Sequence, residues 1–95
     1  MNTEPPRLLV VDDEVHLAQA LKLNLELDGF VVDLAKTARE AAERLLEAQR
    51  YDAIVLDVML PDLNGFDLCR RLRDSGNLVP VIMLTAKTSP EDRVA

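Results

Sequence analysis

The chain of 95 residues has one cysteine, Cys69, so no internal disulfide can form. The simplest role for Cys69 is a small buried apolar side chain on a helix. Basic residues are scarce relative to acids: 11 Lys and Arg against 17 Asp and Glu, a formal net charge of −6. That balance argues against direct nucleic-acid binding, which needs cationic side chains to neutralise phosphates. It suits a cation site or a basic partner. No apolar run approaches the ~18 residues of a membrane span. The opening MNTEPPR lacks the apolar stretch of a signal peptide. The expectation is a cytoplasmic protein without membrane contact. There is no internal repeat, low-complexity tract or linker, and the length argues for one domain. What is present is a globular composition, 48% hydrophobic and 29% charged. In a short chain the core can only be small.

The most informative stretch is residues 51–65, YDAIVLDVMLPDLNG. An apolar run over 53–56 ends in Asp57. Pro61 cannot continue a strand ladder, and Asn64-Gly65 is a turn dipeptide. This predicts a buried strand that delivers a carboxylate to its C-terminal tip, followed by a loop of set shape. Strand ends are often merely polar. In open α/β sheets they are also where ligands bind.

The same design occurs earlier. Residues 8–11, LLVV, form a continuous apolar run ending in Asp12-Asp13-Glu14. Near-continuous apolar strands are what a parallel sheet covered on both faces requires. Residues 14 to about 28 predict a helix, with Leu17, Ala18, Leu21 and Leu25 on one face and Leu23 and Leu27 flanking it. Gly29 is its expected stop. His16 has no visible partner and is expected to be exposed or partly packed. Residues 30–35 predict a second strand, with Asp33 breaking the run as on a sheet edge. Thr37-Ala38-Arg39-Glu40 is a capping box that opens a helix to about Gln49, packing through Ala38, Ala41, Ala42, Leu45 and Leu46. Residues 65–74 predict a third helix with Phe66, Leu68, Cys69 and Leu72 inward and Arg70, Arg71 and Arg73 solvated. Ser75-Gly76-Asn77 ends it. Residues 79–84, VPVIML, predict a fourth strand followed by Thr85. Ser89-Pro90 then opens another helix.

Alternating strands and helices joined by right-handed crossovers give an α/β fold, a doubly wound parallel sheet. All strand C-termini then share one edge, which collects Asp12, Asp13, Asp57 and Thr85. Converging carboxylates repel one another, and a hard cation between them removes that cost. A few carboxylates with retained waters suit Mg²⁺. An Asp beside Mg²⁺ and a hydroxyl suggests phosphoryl transfer through an aspartyl-phosphate, with Thr85 donating to a phosphoryl oxygen. Against this stands plain helix capping by Asp13 or Glu14. Capping does not explain Asp57 and Thr85 at the same edge.

The segments VVDDE at 10–14, DAIVLDVMLPDLNG at 52–65 and VPVIMLTAK at 79–87 stand in one order and spacing. In these the chain resembles the receiver domain of two-component response regulators over essentially its whole length. The second and third segments are most similar to the class carrying a winged-helix DNA-binding domain downstream. The resemblance implies a flavodoxin-like sheet, here of order 2-1-3-4, with the fifth strand and fifth helix of the family absent. It implies that Asp57 is the phosphoacceptor, loaded from a sensor histidine kinase. It also implies Mg²⁺ bound by Asp13, Asp57 and the backbone carbonyl of Met59, with Asp12 acting through a water. Thr85 would be the switch hydroxyl.

A receiver continues for roughly 25 residues beyond this point at usual element lengths. The family's phosphoryl-contacting lysine and its switch-coupled aromatic lie there. Lys87 is not that lysine, because it follows the fourth strand. The expectation is an incomplete receiver over residues 1–95, ending in the start of helix 4. It is either part of a longer chain or self-associated through the apolar fourth strand. In that state several side chains of 53–56 and 81–84 are expected to lose their cover. The functional expectation is a signalling module, not an enzyme, that controls transcription. The alternative is a phosphorylation-independent interaction module. An Asp-based phosphohydrolase fits less well, since Met59 stands where such enzymes place a second carboxylate.

Overall fold

The two apolar runs that end in aspartate lie side by side at the centre of the sheet. In the computed structural model, which describes residues 4–46 and 51–84, the elements are β1 (Arg7–Val11), α1 (Val15–Leu27), β2 (Val31–Ala35), α2 (Ala38–Leu46), β3 (Ala53–Asp57), α3 (Gly65–Asp74) and β4 (Val81–Leu84). The strands are all parallel, in the order β2-β1-β3-β4. Each predicted element from the first strand to the fourth is present within a residue or two at its described ends. The expected end of α2 near Gln49, Thr85 and the Ser89-Pro90 helix opening lie outside the described residues.

Alternation along the strands sorts the core into two layers. Leu9, Val11, Ile54 and Leu56 face α2 and α3, where they pack with Ala38, Ala41, Leu68 and Leu72. Leu8, Val10, Val32 and Val55 face the other way, toward Leu21 and Leu25 of α1. Asp33 sits on the edge strand, as its polarity suggested. It takes an ion pair from Arg7 at 3.2 Å and a hydrogen bond from the Tyr51 hydroxyl at 2.7 Å. His16 is exposed.

Several packing expectations are corrected. Leu23 and Leu27 do not flank the inner face of α1; both are exposed. At 3.6 residues per turn they stand about 200° and 240° round from Leu21, on the far side. Leu17, at the margin of the stripe, is only partly covered, at 38% exposure. Phe66 is not inward but 56% exposed, because it lies about 200° from the buried Leu68. Cys69 is half-buried. On α2 only Ala38 and Ala41 are fully buried, with Leu45 packed beside them. Ala42 and Leu46 instead line a groove of about 520 Å³ between α2 and α3. Arg73 is not simply solvated: its Nη1 donates to the carbonyls of Asn77 and Val79, at 3.0 and 2.7 Å, and fastens the turn into β4. The expected loss of cover is confined to β4. Ile54, Val55 and Leu56 are all buried, whereas Ile82 is 55% exposed.

Candidate functional site

The site begins with strand register. β1 and β3 are neighbours, with Val11 opposite Leu56. The next residues, Asp12 just past β1 and Asp57 at the end of β3, therefore stand together at the C-terminal edge of the sheet. Both are buried, Asp12 to 4% exposure and Asp57 to 2%, while Asp13 is exposed. Ligand oxygens of Asp12, Asp13 and Asp57 all lie within 4.8 Å of one another.

Asp12 and Asp57 are each held by contacts of the segment that follows them. The Asp12 N–H donates to the Ala35 carbonyl at 2.9 Å, and its Oδ1 accepts from the Glu14 N–H at 2.9 Å. This corrects the capping expectation. Glu14 occupies the N-cap position of α1 without a side-chain cap bond. Asp12 supplies the side-chain contact instead, since its short arm reaches forward two residues. Asp57 Oδ1 accepts from the Met59 N–H at 3.2 Å. Beyond it the loop folds back: Met59 bridges Asn64, and the Gly65 N–H donates to the Val58 carbonyl at 2.7 Å. Asn64 Oδ1 then caps α3 through the Phe66 N–H at 2.7 Å. Thr85 lies outside the described residues, so its expected place beside the cluster rests on the sequence alone.

Unit negative charges about 4 Å apart repel by about 1 kcal/mol in bulk water and about 4 kcal/mol at an effective dielectric constant near 20. A cation among the three carboxylates would offset that repulsion. All-oxygen donors within one ion's reach suit a hard divalent ion.

One residue at this rim escaped the sequence reading. Asp62, in the loop between β3 and α3, accepts from the Ala38 and Arg39 N–H groups, at 2.9 and 3.0 Å, through different oxygens. These bonds, Ala38 first, hold its carboxyl below the usual carboxylate value. The predicted capping box shares the same helix end, where Thr37 Oγ1 accepts from the Glu40 N–H at 3.0 Å. After Pro61, Asp62 reads as a turn residue; nothing local points to a partner more than twenty positions earlier.

No helix among the described residues is long and apolar enough to cross a membrane. The family profile described as response regulator receiver domain matches residues 8–95. A curated relative, response regulator MprA of Mycolicibacterium vanbaalenii, is 45% identical over 91 residues, covering 96% of this chain and 39% of that protein. The chain thus spans about two-fifths of the length of such relatives. Among solved structures, the receiver domain of Francisella response regulator 1452 matches with a TM-score of 0.79 at 37% identity, covering 94% of this chain and 73% of that one. The non-phosphorylated HemR receiver domain of Leptospira biflexa matches with a TM-score of 0.75 at 40% identity, covering 94% and 71%. A parallel sheet that sets three aspartates at one edge, and relatives of this kind along nearly its whole length, lead to one statement: the chain belongs to the response regulator receiver domain family.

Proposed function

We propose that this chain is a phosphoacceptor module that takes a phosphoryl group from the phosphohistidine of a sensor histidine kinase onto Asp57. The observation that carries the reading is the convergence of Asp12, Asp13 and Asp57 from two adjacent strands. Asp13 and Asp57 would bind Mg²⁺ directly, together with the Met59 backbone carbonyl, and Asp12 through a water. Bound there, Mg²⁺ supplies charge neutralisation at the phosphoryl oxygens. An Asp57 oxygen attacks phosphorus; the O–P bond forms as the N–P bond breaks, and the imidazole leaves with the electron pair. The Met59 N–H orients Asp57 by donating to its Oδ1. Burial of Asp57 at the strand tip limits access by bulk water. Thr85 would turn its hydroxyl to the phosphoryl group and pass the change to the surface. Control of transcription would follow through a downstream DNA-binding domain, as in the winged-helix class whose wording the chain shares.

The test is incubation with acetyl phosphate and Mg²⁺, read by intact mass. The chain is expected to gain one phosphoryl group, and Asp57→Asn none. If Asp57→Asn gains phosphate as readily as the parent, the acceptor is misassigned. A chain that binds Mg²⁺ and a partner protein but takes up no phosphate would favour the phosphorylation-independent interaction module.

A further inference from the structure

The first N–H groups of a helix have no acceptor within it. In α2 one of them, Glu40, is served locally by Thr37. The two at the very start are served from another loop, by one Asp62 oxygen each. That loop follows Asp57, the last residue of β3, and contains Met59. Its own contacts, from Met59 to Asp57, from Gly65 to Val58 and across the Met59–Asn64 bridge, close it upon itself. The two bonds from Asp62 tie it to a different helix. The same helix start is bound on its other side to the cluster, because the Asp12 N–H holds the Ala35 carbonyl three residues before Ala38. A continuous set of contacts therefore runs from Asp12 through the start of α2 and Asp62 back to Asp57. Pro61 stiffens the last step by restricting its own φ. A carboxylate at a helix N-terminus is also electrostatically favoured, which makes the clamp persistent.

We propose that Asp62 is a positioning residue for the acidic cluster: by clamping the start of α2 it holds the loop that follows Asp57 and carries Met59 in the arrangement that receives Mg²⁺. The proposal rests on reading the cluster as a Mg²⁺ site. Mg²⁺ tolerates little departure from octahedral geometry, so a loop freed at Asp62 loses affinity even though Asp62 is no ligand.

The test is Mg²⁺ titration followed by calorimetry on the parent, Asp62→Ala, Asp62→Asn and Thr37→Ala, with folding checked by circular dichroism. Loss of an outer-shell partner typically weakens metal binding by about 10- to 100-fold. Asp62→Ala is expected near the lower figure, and Asp62→Asn, which keeps one acceptor oxygen, between it and the parent. Thr37→Ala removes a cap from the same helix without touching the loop and is expected to bind like the parent. Parent-like affinity in Asp62→Ala overturns the proposal. So does an equal loss in Thr37→Ala, which would make the effect one of helix stability. If Asp62→Ala does not fold, Asp62→Asn against Thr37→Ala decides in the same way. A parent that takes no Mg²⁺ sinks the reading of the cluster and this inference with it; a parent that binds while the Asp62 variants bind equally sinks only the inference.

Discussion

Gly65 shows how closely the site is built at the scale of single residues. A Cβ at this position would lie 2.5 Å from the Asp57 carbonyl oxygen and 3.0 Å from the Val58 Cα. Both are backbone atoms, so no side chain can swing aside. The start of α3 is thus pressed against the strand tip that carries the candidate acceptor. Gly65→Ala is expected to cost roughly 1–3 kcal/mol, read from the denaturation midpoint. It should also lower phosphate uptake at Asp57 while Asp57 itself is intact. From the sequence, Asn64-Gly65 is legible as a turn. That the glycine is demanded by close approach to Asp57 is not, because the contact forms only when α3 docks on the end of β3.

Among the elements, α2 depends most on its surroundings. Its start is capped by Thr37 from within and by Asp62 from outside. The Asp62 carboxyl is held below its ordinary value by those N–H groups, so its folded value lies under the unfolded one. The cap therefore operates fully above the unfolded value, about 3.9, and is lost as pH falls through the lower folded value. The amide proton shifts of Ala38 and Arg39 are expected to titrate together with a midpoint under about 3.9. In Asp62→Asn that shared titration should vanish; its persistence would assign it to another acid. The apolar stripes of α1 and α3 were legible only in part. Helical spacing identifies Leu21, Leu25, Leu68 and Leu72 correctly, yet Leu23, Leu27 and Phe66 are apolar residues on the outer side. Hydrophobicity alone does not say which way a residue points; its angle round the helix does.

For the molecule as a whole, stability rests on β1 and β3, whose side chains fill both layers. Leu56 is fully buried against α2 and α3, while Leu46 on α2 is 87% exposed. Leu56→Ala is expected to cost about 2–5 kcal/mol, and Leu46→Ala no more than about 0.5 kcal/mol, by chemical denaturation. Equal losses would mean that the α2–α3 groove is filled in solution. The exposed Ile82 marks the weaker side of the sheet, at β4.

The alternation of strands and helices, the parallel sheet and the edge at which Asp12, Asp13 and Asp57 gather are all written in the order of residues along the chain. These follow from local signals: continuous apolar runs, the acids that end them, and turn residues between. Which acids are buried, that Asp12 supplies the side-chain contact at the start of α1, and that Asp62 closes the start of α2 emerge only once the chain is folded. Those outcomes depend on pairs of groups distant in the chain, and their separation in space is set by packing that no single stretch encodes.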